Sequence, residues 1–314
     1  MRILLTGGAG FIGSRIANRL AQSDFKLTIA DNLIDTAQIR KLPTHGIVDW
    51  ISKADLNDLS EIDPFFDSFD AIVHQGAITA TTYPDFSKLL KHNFQLSKKL
   101  ALVSERLNIP YIYASSASVY GSVGYRDSEI NDCRPLNYYG YSKLLFDKWM
   151  MDNPNPPKFL GLRYFNVYGP GEELKGGMAS VAFHAFNQIR ELGEVRLFDT
   201  SEGCEAGEHK RDFVYVDDIA DFILWALTHS WNSRIFDFGT GSAETFNSLA
   251  THIFKNFDLP VNIKYIKMPE ILHGKYQSFT KANSEDLVGI GYKTPLTSLE
   301  QGIHRYYQES VLNG

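Results

Sequence analysis

A tyrosine and a lysine that could exchange protons stand four residues apart, at Tyr139 and Lys143. In a helix this spacing places both side chains on one face. Free tyrosine titrates near pH 10, so a tyrosine base at neutral pH needs its pKa lowered by about 3 units, or roughly 4 kcal/mol. A neighbouring ammonium supplies part of this by stabilising the phenolate. The pair predicts acid–base chemistry, although a surface pair on an amphipathic helix has the same spacing.

Three serines upstream strengthen this prediction. Ser115, Ser116 and Ser118 follow an apolar run at residues 111–114 that is typical of a buried strand. In a parallel sheet, residues that follow a strand lie at the carboxyl edge, where ligands bind. The serine hydroxyls are therefore candidates for contact with a reacting group, with a serine-rich turn as the alternative.

The amino-terminal segment carries three glycines, Gly7, Gly10 and Gly13, between an apolar strand at residues 2–6 and a helical pattern at residues 14–22. Such a turn lets backbone N–H groups approach a pyrophosphate, while the helix points its positive end at it. Glycine is needed because a side chain would block the ligand or the strand–helix contact. Asp31 follows a second strand, as a ribose-binding acid does. These features predict a dinucleotide site, and an oxidised nicotinamide there would add positive charge beside the tyrosine.

Composition is that of an ordinary globular protein. The 314 residues are 44% hydrophobic and 22% charged, and this length predicts roughly two domains. A net charge of −6 and a pI near 5.9 argue against nucleic-acid or anionic-membrane surfaces. The two cysteines, Cys133 and Cys204, fit a reducing cytoplasm. The sequence has no signal-peptide pattern, no apolar run of about 18 residues and no metal-binding motif, so we expect a cytoplasmic enzyme without a metal.

Strands and helices alternate through the first half of the chain. Strands are predicted at residues 2–6, 26–30, 48–52, 71–74, 111–114 and 158–163. Helices are predicted at residues 14–22, 88–107 and 139–151, and the proline-rich segment 152–157 is expected to be a loop. This alternation predicts an α/β fold of the Rossmann type, with a doubly wound parallel sheet.

The alternation becomes irregular near residue 168, where glycines multiply. We therefore expect a dinucleotide-binding domain at residues 1–167 and a smaller, mainly substrate-binding domain at residues 168–314. A strand at 211–216, a helix at 219–227 and a strand at 235–238 are expected to return the chain to the sheet, so that segments near 212–240 belong to the first domain.

Four stretches together resemble the extended short-chain dehydrogenase/reductase family of nucleotide-sugar enzymes: residues 6–13, 114–121, 139–143 and 163–170. The resemblance covers essentially the whole chain. Within the family, residues 136–147, 175–184, 210–216 and 273–280 are most similar to the epimerases that invert C6 of ADP-glycero-manno-heptose. The segment 175–184 is the most specific of these.

The resemblance implies catalytic roles for four residues. Tyr139 would be one acid–base group, with Lys143 holding the nicotinamide ribose and lowering the Tyr139 pKa. Ser116 would hydrogen-bond the reacting hydroxyl. Lys175 would be a second acid–base group on the opposite side of the substrate, although a lysine in this glycine-bounded loop could also be a solvated charge.

The resemblance also implies two sets of binding residues. Those expected at the coenzyme are Gly7, Gly10, Phe11, Ile12, Gly13, Asp31, Asn32, Lys53, Gln75, Gly76, Ala77, Ile78, Thr79, Asn93, Lys143, Val167 and Lys175. Those expected at the substrate are Ser116, Asn166, Gly177, His184, Leu197, Phe198, Asp199, Arg211 and Tyr276. Arg211 would hold the diphosphate, as a guanidinium suits that group. The alternatives are a core histidine at 184 and a structural ion pair between Arg211 and Asp212.

A tightly bound NADP, with NAD as the alternative, is implied as a coenzyme that is not consumed. The sugar alcohol would be oxidised transiently to an exocyclic aldehyde, which rotates and is reduced on its opposite face. The resemblance further implies a homo-oligomer and a role in making the heptose of lipopolysaccharide core. The helix at 88–107 is a candidate interface, with core packing as an equal alternative explanation of its apolar pattern.

Several positions depart from the family pattern. The loop after the second strand often carries a lysine for the 2′-phosphate of NADP, but residues 34–38 contain none here, and Asp31 suits the ribose of NAD. Arg40, Lys41 and Lys53 could still serve a phosphate. Gly171 replaces a common arginine and Gly177 a common hydroxyl residue. The segment 201–209 is longer than usual and adds Glu202, Glu205 and Glu208 near the expected diphosphate site.

Three alternative functions remain. A nucleotide-sugar 4,6-dehydratase normally has Asp-Glu where this chain has Ala117-Ser118. A UDP-hexose 4-epimerase shares the serine, tyrosine and lysine but would not require Lys175. An inactive dinucleotide sensor would be expected to lose Ser116, Tyr139 or Lys143, and all three are present.

Overall fold

The computed structural model describes residues 1–32, 36–121, 132–201, 203–274 and 276–312. The strands of these residues are β1 Arg2–Thr6, β2 Lys26–Ala30, β3 Ile47–Ile51, β4 Ala71–His74, β5 Tyr111–Ser116, β6 Phe159–Tyr164, β7 Asn166–Tyr168, β8 Val195–Phe198, β9 Lys210–Tyr215, β10 Arg234–Phe238, β11 Ala243–Thr245 and β12 Ile263–Ile266. The α-helices are α1 Phe11–Ala21, α2 Thr36–Arg40, α3 Lys53–Asp58, α4 Phe86–Leu89, α5 Leu96–Leu107, α6 Tyr138–Asp152, α7 Val181–Leu192, α8 Val216–Thr228, α9 Phe246–Asn256, α10 Glu285–Gly289 and α11 Leu299–Tyr307.

Seven of the strands in the described residues form one parallel sheet, in the order β10-β6-β5-β4-β1-β2-β3. Successive side chains of β1 alternate between its two faces, so that Ile3 and Leu5 pack on one side and Leu4 on the other. Helices α1 and α8 supply apolar side chains to the first face, and α5 and α6 supply them to the second. The predicted doubly wound α/β sheet is confirmed.

Helix boundaries differ from the predictions by three residues or more in three places, one of which is α8, which begins at Val216 rather than at 219. Helix α1 begins at Phe11, three residues earlier than predicted, because the extended Gly10 acts as its N-cap. The helix predicted at 88–107 is α4 and α5 joined by a π-helical segment, Leu90–Gln95. Within that segment, Asn93 turns its amide towards the backbone of Ile78.

The second half of the chain builds a smaller unit. Strand β9 was expected to return to the central sheet, and this was wrong: β9 pairs with β7 and β11 instead. The reason is that β7 leaves the central sheet directly after β6, and β9 runs parallel to β7. Only α8 and β10 return, with β10 at the sheet edge beside β6. A separate apolar cluster lies between α7, α9 and α11.

Among the described helices, none combines the length and the apolar character needed to cross a membrane. The described His, Cys, Asp and Glu side chains include no group of three or more placed to hold a metal ion.

Candidate active site

A cleft of about 460 Å3 opens at the carboxyl ends of β1, β4, β5 and β6. Most residues expected at the coenzyme border it, together with Ser116, Tyr139 and Asn166. Its lining residues are Thr6, Gly7, Gly10, Phe11, Ile12, Gly13, Ala30, Asp31, Lys53, Leu56, Gln75, Gly76, Ala77, Thr79, Leu96, Ala114, Ser115, Ser116, Tyr139, Lys143, Tyr164, Phe165, Asn166, Val167, Lys175 and Met178.

The glycine turn forms one end of this cleft. Gly7 has a φ of +68°, and a Cβ at Gly13 would lie 2.0 Å from the Gly7 carbonyl oxygen. Gly10 caps α1 without a side-chain hydrogen bond, so no side chain shields the first amides of the helix. Backbone approach and an uncapped helix N-terminus are the features that a pyrophosphate requires.

Asp31 and Lys53 lie together at the adjoining end of the cleft. The Asp31 carboxylate accepts the Ala9 N–H at 2.9 Å and the Asn32 N–H at 2.8 Å. Burial raises the pKa of Asp31, against these hydrogen bonds and the nearby Lys53 ammonium, which lower it. Burial lowers the pKa of Lys53, and Asp31 is the charge that raises it. At this end of the cleft, the partly desolvated Lys53 ammonium therefore lies beside the Asp31 carboxylate, which already accepts hydrogen bonds from the backbone.

The segment after β4 places the side-chain amide of Gln75 at the cleft. Gln75 accepts a hydrogen bond from the Tyr164 hydroxyl at 3.1 Å, which fixes its amide. The Gln75 Nε2 atom is buried with no hydrogen-bond partner among the described residues. A buried donor of this kind is costly unless a bound molecule accepts its hydrogen bond. Together with the glycine turn, this atom shows that the cleft fits a dinucleotide.

Two residues expected at the coenzyme act behind the cleft. Asn93 is buried, and its amide accepts the Ile78 N–H at 2.8 Å and donates to the Ile78 carbonyl at 2.9 Å. It also donates to the Ser142 hydroxyl at 3.0 Å. Asn93 and Ile78 therefore tie the segment after β4 to α6. Asn32 likewise lies outside the lining and is exposed.

Tyr139 and Ser116 meet in the cleft. Helix α6 begins after Asn137, whose side chain accepts the Gly140 N–H, and this places Tyr139 in the first turn. Ser116, the last residue of β5, hydrogen-bonds the Tyr139 hydroxyl. The Ser116 and Ser118 hydroxyls are also 2.7 Å apart. The tyrosine and the serine are thus close enough to bind one alcohol together.

Lys143 lies one turn along α6 and is buried. Its Nζ donates to the Ala114 carbonyl at 2.7 Å and lies 6.0 Å from the centre of the Tyr139 ring. Burial lowers the pKa of Lys143 to about 8, against the Asp147 carboxylate, which raises it. Asp147 is one further turn along the helix and accepts bonds from Tyr113, Ser115 and Arg163. The sequence analysis missed Asp147, although its spacing of four from Lys143 was visible.

The structure directs the Lys143 ammonium away from the Tyr139 hydroxyl, and the expected lowering of the Tyr139 pKa by Lys143 stays a prediction. Burial raises the Tyr139 pKa, and only the hydrogen bond from Ser116 lowers it. The Lys143 ammonium is directed to the Ala114 carbonyl rather than to the phenol oxygen.

Lys175 borders the same cleft as Tyr139. Its ammonium lies 4.9 Å from the centre of the Phe11 ring and 3.8 Å from a carboxylate oxygen of Glu172. Burial lowers the pKa of Lys175, against Glu172, which raises it. Lys175 is thus a partly buried amine at the ligand site rather than a solvated charge. Glu172 was missed, although two consecutive glutamates three and two residues before a lysine were visible.

Several residues expected at the substrate form a second cluster around Arg211. The buried Arg211 guanidinium lies 4.8 Å from the Tyr276 ring centre and donates to the backbone carbonyls of Lys210 and Gln277. The rings of Phe198 and Tyr276 are 5.6 Å apart. Burial lowers the pKa of Arg211. The neighbouring Asp212 carboxylate accepts hydrogen bonds from Thr240, Gly241 and Ala282 rather than from Arg211. The structural ion pair between Arg211 and Asp212 is excluded.

The Arg211 cluster is tied to the cleft by the segment after residue 275. The Gln277 side chain donates to the Gly121 carbonyl at 2.8 Å, at the end of the turn that begins with Ser116. Thr280 donates to the side chain of Asn166 at 3.4 Å, and Asn166 lines the cleft. The two groups of expected site residues therefore belong to one connected surface.

The remaining expected substrate residues lie outside the cleft lining. Leu197 is buried in the core of the smaller unit, and Asp199 is exposed beside it. His184, on α7, is half-buried and its ring contacts Phe183. Gly177 is exposed, and a Cβ there would meet nothing within 4 Å.

The acidic segment 201–209 and the loop 34–38 are described only in part. Glu202, Ile34 and Asp35 lie outside the described residues. Glu205 is exposed, and Glu208 accepts a hydrogen bond from Asn247 at 2.6 Å. Lys41, a candidate for the 2′-phosphate of NADP, is directed instead to the Gly171 carbonyl at 2.7 Å and to Glu173 at 2.8 Å.

This chain is similar to a known enzyme family and to named relatives over most of its length. Residues 3–239 match the family described as NAD dependent epimerase/dehydratase. An ADP-L-glycero-D-manno-heptose-6-epimerase of Fusobacterium nucleatum is 40% identical, with 98% of this chain and 97% of that protein covered. The protein of the same name from Alkalilimnicola ehrlichii is 42% identical, with 97% and 96% covered.

A solved structure is also similar over nearly the whole chain. The crystal structure of the Helicobacter pylori ADP-L-glycero-D-manno-heptose-6-epimerase has a TM-score of 0.81 and 30% identity, and covers 98% of this chain and 95% of that one. The resemblance and the enzyme class inferred from the sequence are confirmed by these relatives. With a family model matched over most of its length, this chain belongs to the NAD dependent epimerase/dehydratase family.

Proposed function

We propose that this enzyme inverts C6 of ADP-glycero-manno-heptose by transient oxidation and re-reduction. The observation that carries the proposal is that Tyr139 and Lys175 border one cleft together with Ser116. Two acid–base groups are needed because the alcohol proton is removed on one side and the proton returns on the other. The 40–42% identical relatives bear the name of this activity.

The chain's own residues would handle the protons and the orientation. Ser116 and Tyr139 bind the reacting hydroxyl between them, since their own hydroxyls already meet. One of Tyr139 and Lys175 takes the alcohol proton, and the other gives a proton to the carbonyl after it has rotated. A bound nicotinamide supplies the hydride acceptor and donor. Lys143 would hold the nicotinamide ribose, and the glycine turn would hold the pyrophosphate.

The test is incubation of the coenzyme-loaded enzyme with ADP-D-glycero-D-manno-heptose, with the C6 configuration read by NMR. We expect conversion to the L-glycero epimer. Unchanged heptose together with turnover of a UDP-hexose at C4 would favour the alternative, a UDP-hexose 4-epimerase. The same assay on Lys175→Ala separates the two, because a 4-epimerase would keep its activity and a two-base 6-epimerase would lose it.

We infer that NADP is the preferred coenzyme, with NAD as the alternative. Lys53 supports this, because it borders the cleft and its ammonium forms no hydrogen bond or ion pair within the described part of the chain, where Asp31 is the nearby opposite charge. Asp31, the residue that would select the NAD ribose, already accepts two backbone N–H groups. In Lys53→Met, we expect the affinity for NADP to fall at least tenfold and that for NAD to stay unchanged. An equal loss for both coenzymes, measured by fluorescence titration, would contradict a contact between Lys53 and the 2′-phosphate of NADP.

We further propose that Arg211 binds the substrate diphosphate and Tyr276 its nucleoside. A buried guanidinium held by two carbonyls and an aromatic ring suits a diphosphate. On this proposal residues 1–167, together with the returning α8 and β10, form the coenzyme-binding domain, and residues 168–314 mainly bind the sugar nucleotide. The expected consequence for Arg211→Lys is a raised KM with a smaller change in kcat, because lysine cannot form the bidentate contact.

A homo-oligomer is also proposed. Tyr138, Tyr141 and Leu145 form an exposed apolar stripe on α6, whose other face packs near the helical region predicted as an interface. Light scattering on the purified protein tests this, and Leu145→Glu should shift an oligomer towards monomer. A cytoplasmic location and a role in lipopolysaccharide synthesis remain predictions.

A further inference from the structure

Glu172 is a fully buried carboxylate next to the loop that carries Lys175. Its Oε2 accepts the Ser180 N–H at 2.7 Å, and its Oε1 accepts the Ser180 hydroxyl at 2.6 Å. The Tyr306 hydroxyl donates to Oε1 at 3.3 Å, and the Gly169 N–H does so at 3.4 Å. A buried charge persists only when it is paired and hydrogen-bonded. These four donors provide the hydrogen bonds that the buried carboxylate needs.

Lys175 supplies the paired charge that the buried carboxylate needs. Its Nζ lies 3.8 Å from Oε2, and its backbone N–H donates to the Glu172 carbonyl at 3.0 Å. The Lys175 side chain is 30% exposed, whereas Glu172 is 0% exposed. The carboxylate is thus the fixed member of the pair, and the amine is the member that faces the cleft. The Phe11 ring on the other side of the ammonium is uncharged.

We propose that Glu172 is a positioning residue, which fixes Lys175 Nζ over the coenzyme cleft and keeps that amine able to hold a proton. The inference rests on the proposed function, in which Lys175 is an acid–base group. Ser180 extends the same anchor, because it caps α7 by accepting the Phe183 N–H at 3.1 Å while it binds Glu172. One carboxylate therefore connects the catalytic loop, the start of α7 and α11.

The other titratable groups around the pair do not replace this charge. Tyr306 of α11 donates to Glu172, and burial keeps the pKa of Tyr306 raised. Tyr215 of β9 also has a pKa raised by burial. Glu173, the next residue, forms an ion pair with Lys41 at 2.8 Å on the exposed side of the loop. In the described residues, Glu172 is the charge that raises the Lys175 pKa.

The neighbouring glutamate provides a matched control. Glu172→Gln removes the inward charge and keeps the side-chain length, and Glu173→Gln removes an equal charge one residue away. Competitive acetylation of the coenzyme-loaded enzyme with trace acetic anhydride across pH measures the titration midpoint of Lys175 by mass spectrometry. We expect the midpoint to move to lower pH by about one unit in Glu172→Gln, because a nearby carboxylate favours the ammonium. It should stay in place in Glu173→Gln.

Activity provides the second readout. The limb of the pH–rate profile that reports Lys175 should move to lower pH by the same amount in Glu172→Gln. In Tyr306→Phe it should not move, because that change removes a hydrogen bond and leaves the carboxylate charged. An unchanged labelling midpoint in Glu172→Gln overturns the inference. A midpoint that moves without any change in the pH–rate profile supports the pairing and contradicts the acid–base role of Lys175, so the two failures are distinguishable.

Lys175→Met gives a reading that does not depend on folding of the Glu172 variant. Without the ammonium, Glu172 is a buried carboxylate lacking its counter-ion, and protonation relieves it. The cost of the unpaired charge is present where the carboxylate is ionised and is lost where it is protonated. We expect the unfolding temperature of Lys175→Met, relative to the unchanged protein, to be lower near pH 7 than near pH 5. An equal difference at both pH values contradicts the pairing.

Discussion

Lys143 is subject to two opposing influences within one turn of α6. Burial lowers its pKa to about 8, while the Asp147 carboxylate raises it. The amine is therefore charged below that pH and neutral above it. Its proposed partner, the nicotinamide ribose, accepts hydrogen bonds from a charged donor more strongly than from a neutral one.

Coenzyme affinity should consequently fall as pH rises through about 8, where Lys143 loses its proton. In Lys143→Arg this decline should disappear, because a guanidinium stays charged over that range. Fluorescence titration with NADP at a series of pH values measures both. A decline that persists unchanged in Lys143→Arg would assign it to another group.

Tyr139 is expected to be needed for turnover and not for folding. Tyr139→Phe removes the phenol oxygen that meets Ser116, and the rate should fall about 10²–10⁴-fold. Tyr141→Phe is the control, since Tyr141 lies two residues along α6 and is 43% exposed. Conversion followed by NMR, together with the amount of coenzyme retained, distinguishes lost chemistry from lost binding. Comparable rates in both variants would exclude Tyr139 as an acid–base group.

At the scale of elements, the glycine turn shows why strand and helix must follow each other so closely. Gly7 has a positive φ, and Gly13 sits against the Gly7 carbonyl because it lacks a Cβ. The first turn of α1 is thereby pressed onto the end of β1. That contact leaves the amides of the helix at the cleft rather than behind it.

Two alanine substitutions should therefore differ in severity. A Cβ at Gly13 would lie 2.0 Å from the Gly7 carbonyl, whereas one at Gly10 would lie 3.2 Å from it. Gly13→Ala forces the backbone to shift. We therefore expect this variant to lose coenzyme binding and to lose about 1–3 kcal/mol in the free energy of unfolding. Gly10→Ala should bind coenzyme more weakly but fold normally. Denaturation and coenzyme titration test this order, and equal effects would contradict it.

Local sequence patterns were sufficient to predict most of these elements. They were not sufficient to predict which strands pair over a long distance in the chain. The glycine triplet, β1, β2 and β4 and the first turn of α6 follow from local alternation and capping. The placement of β9 depends on where β7 goes, and no local pattern in residues 211–216 encodes that. Glu172 was missed for a related reason, because its partners Ser180 and Tyr306 are 8 and 134 residues away. The site residues that share a motif were predicted, and those that support them through tertiary contacts were not.

In the whole molecule, the proposed binding residues form two groups that lie on separate cores. The coenzyme cleft lies over the central sheet, while Arg211 and Tyr276 belong to the smaller unit. The contacts from Gln277 to Gly121 and from Thr280 to Asn166 join them. Each ligand should therefore stabilise the protein through its own group of residues.

Thermal unfolding with NADP and with ADP should show this independence. Each ligand, at about a hundredfold its Kd, is expected to raise the unfolding temperature by several degrees, since binding contributes about 2.7 kcal/mol there. Arg211→Ala should abolish the effect of ADP and preserve that of NADP. Lys143→Met should do the reverse. Loss of both effects in either variant would contradict separate subsites.

The bond from Tyr306 to Glu172 has a consequence for biosynthesis. A ribosome makes the sheet, the glycine turn and the Tyr139 helix well before it reaches α11. A nascent chain could thus acquire its coenzyme early, yet the lysine loop would not be anchored until residues 299–307 had emerged and docked. A chain that ends ahead of α11 would lack both the Tyr306 bond to Glu172 and the buried side chains Leu299, Ile303 and Tyr306.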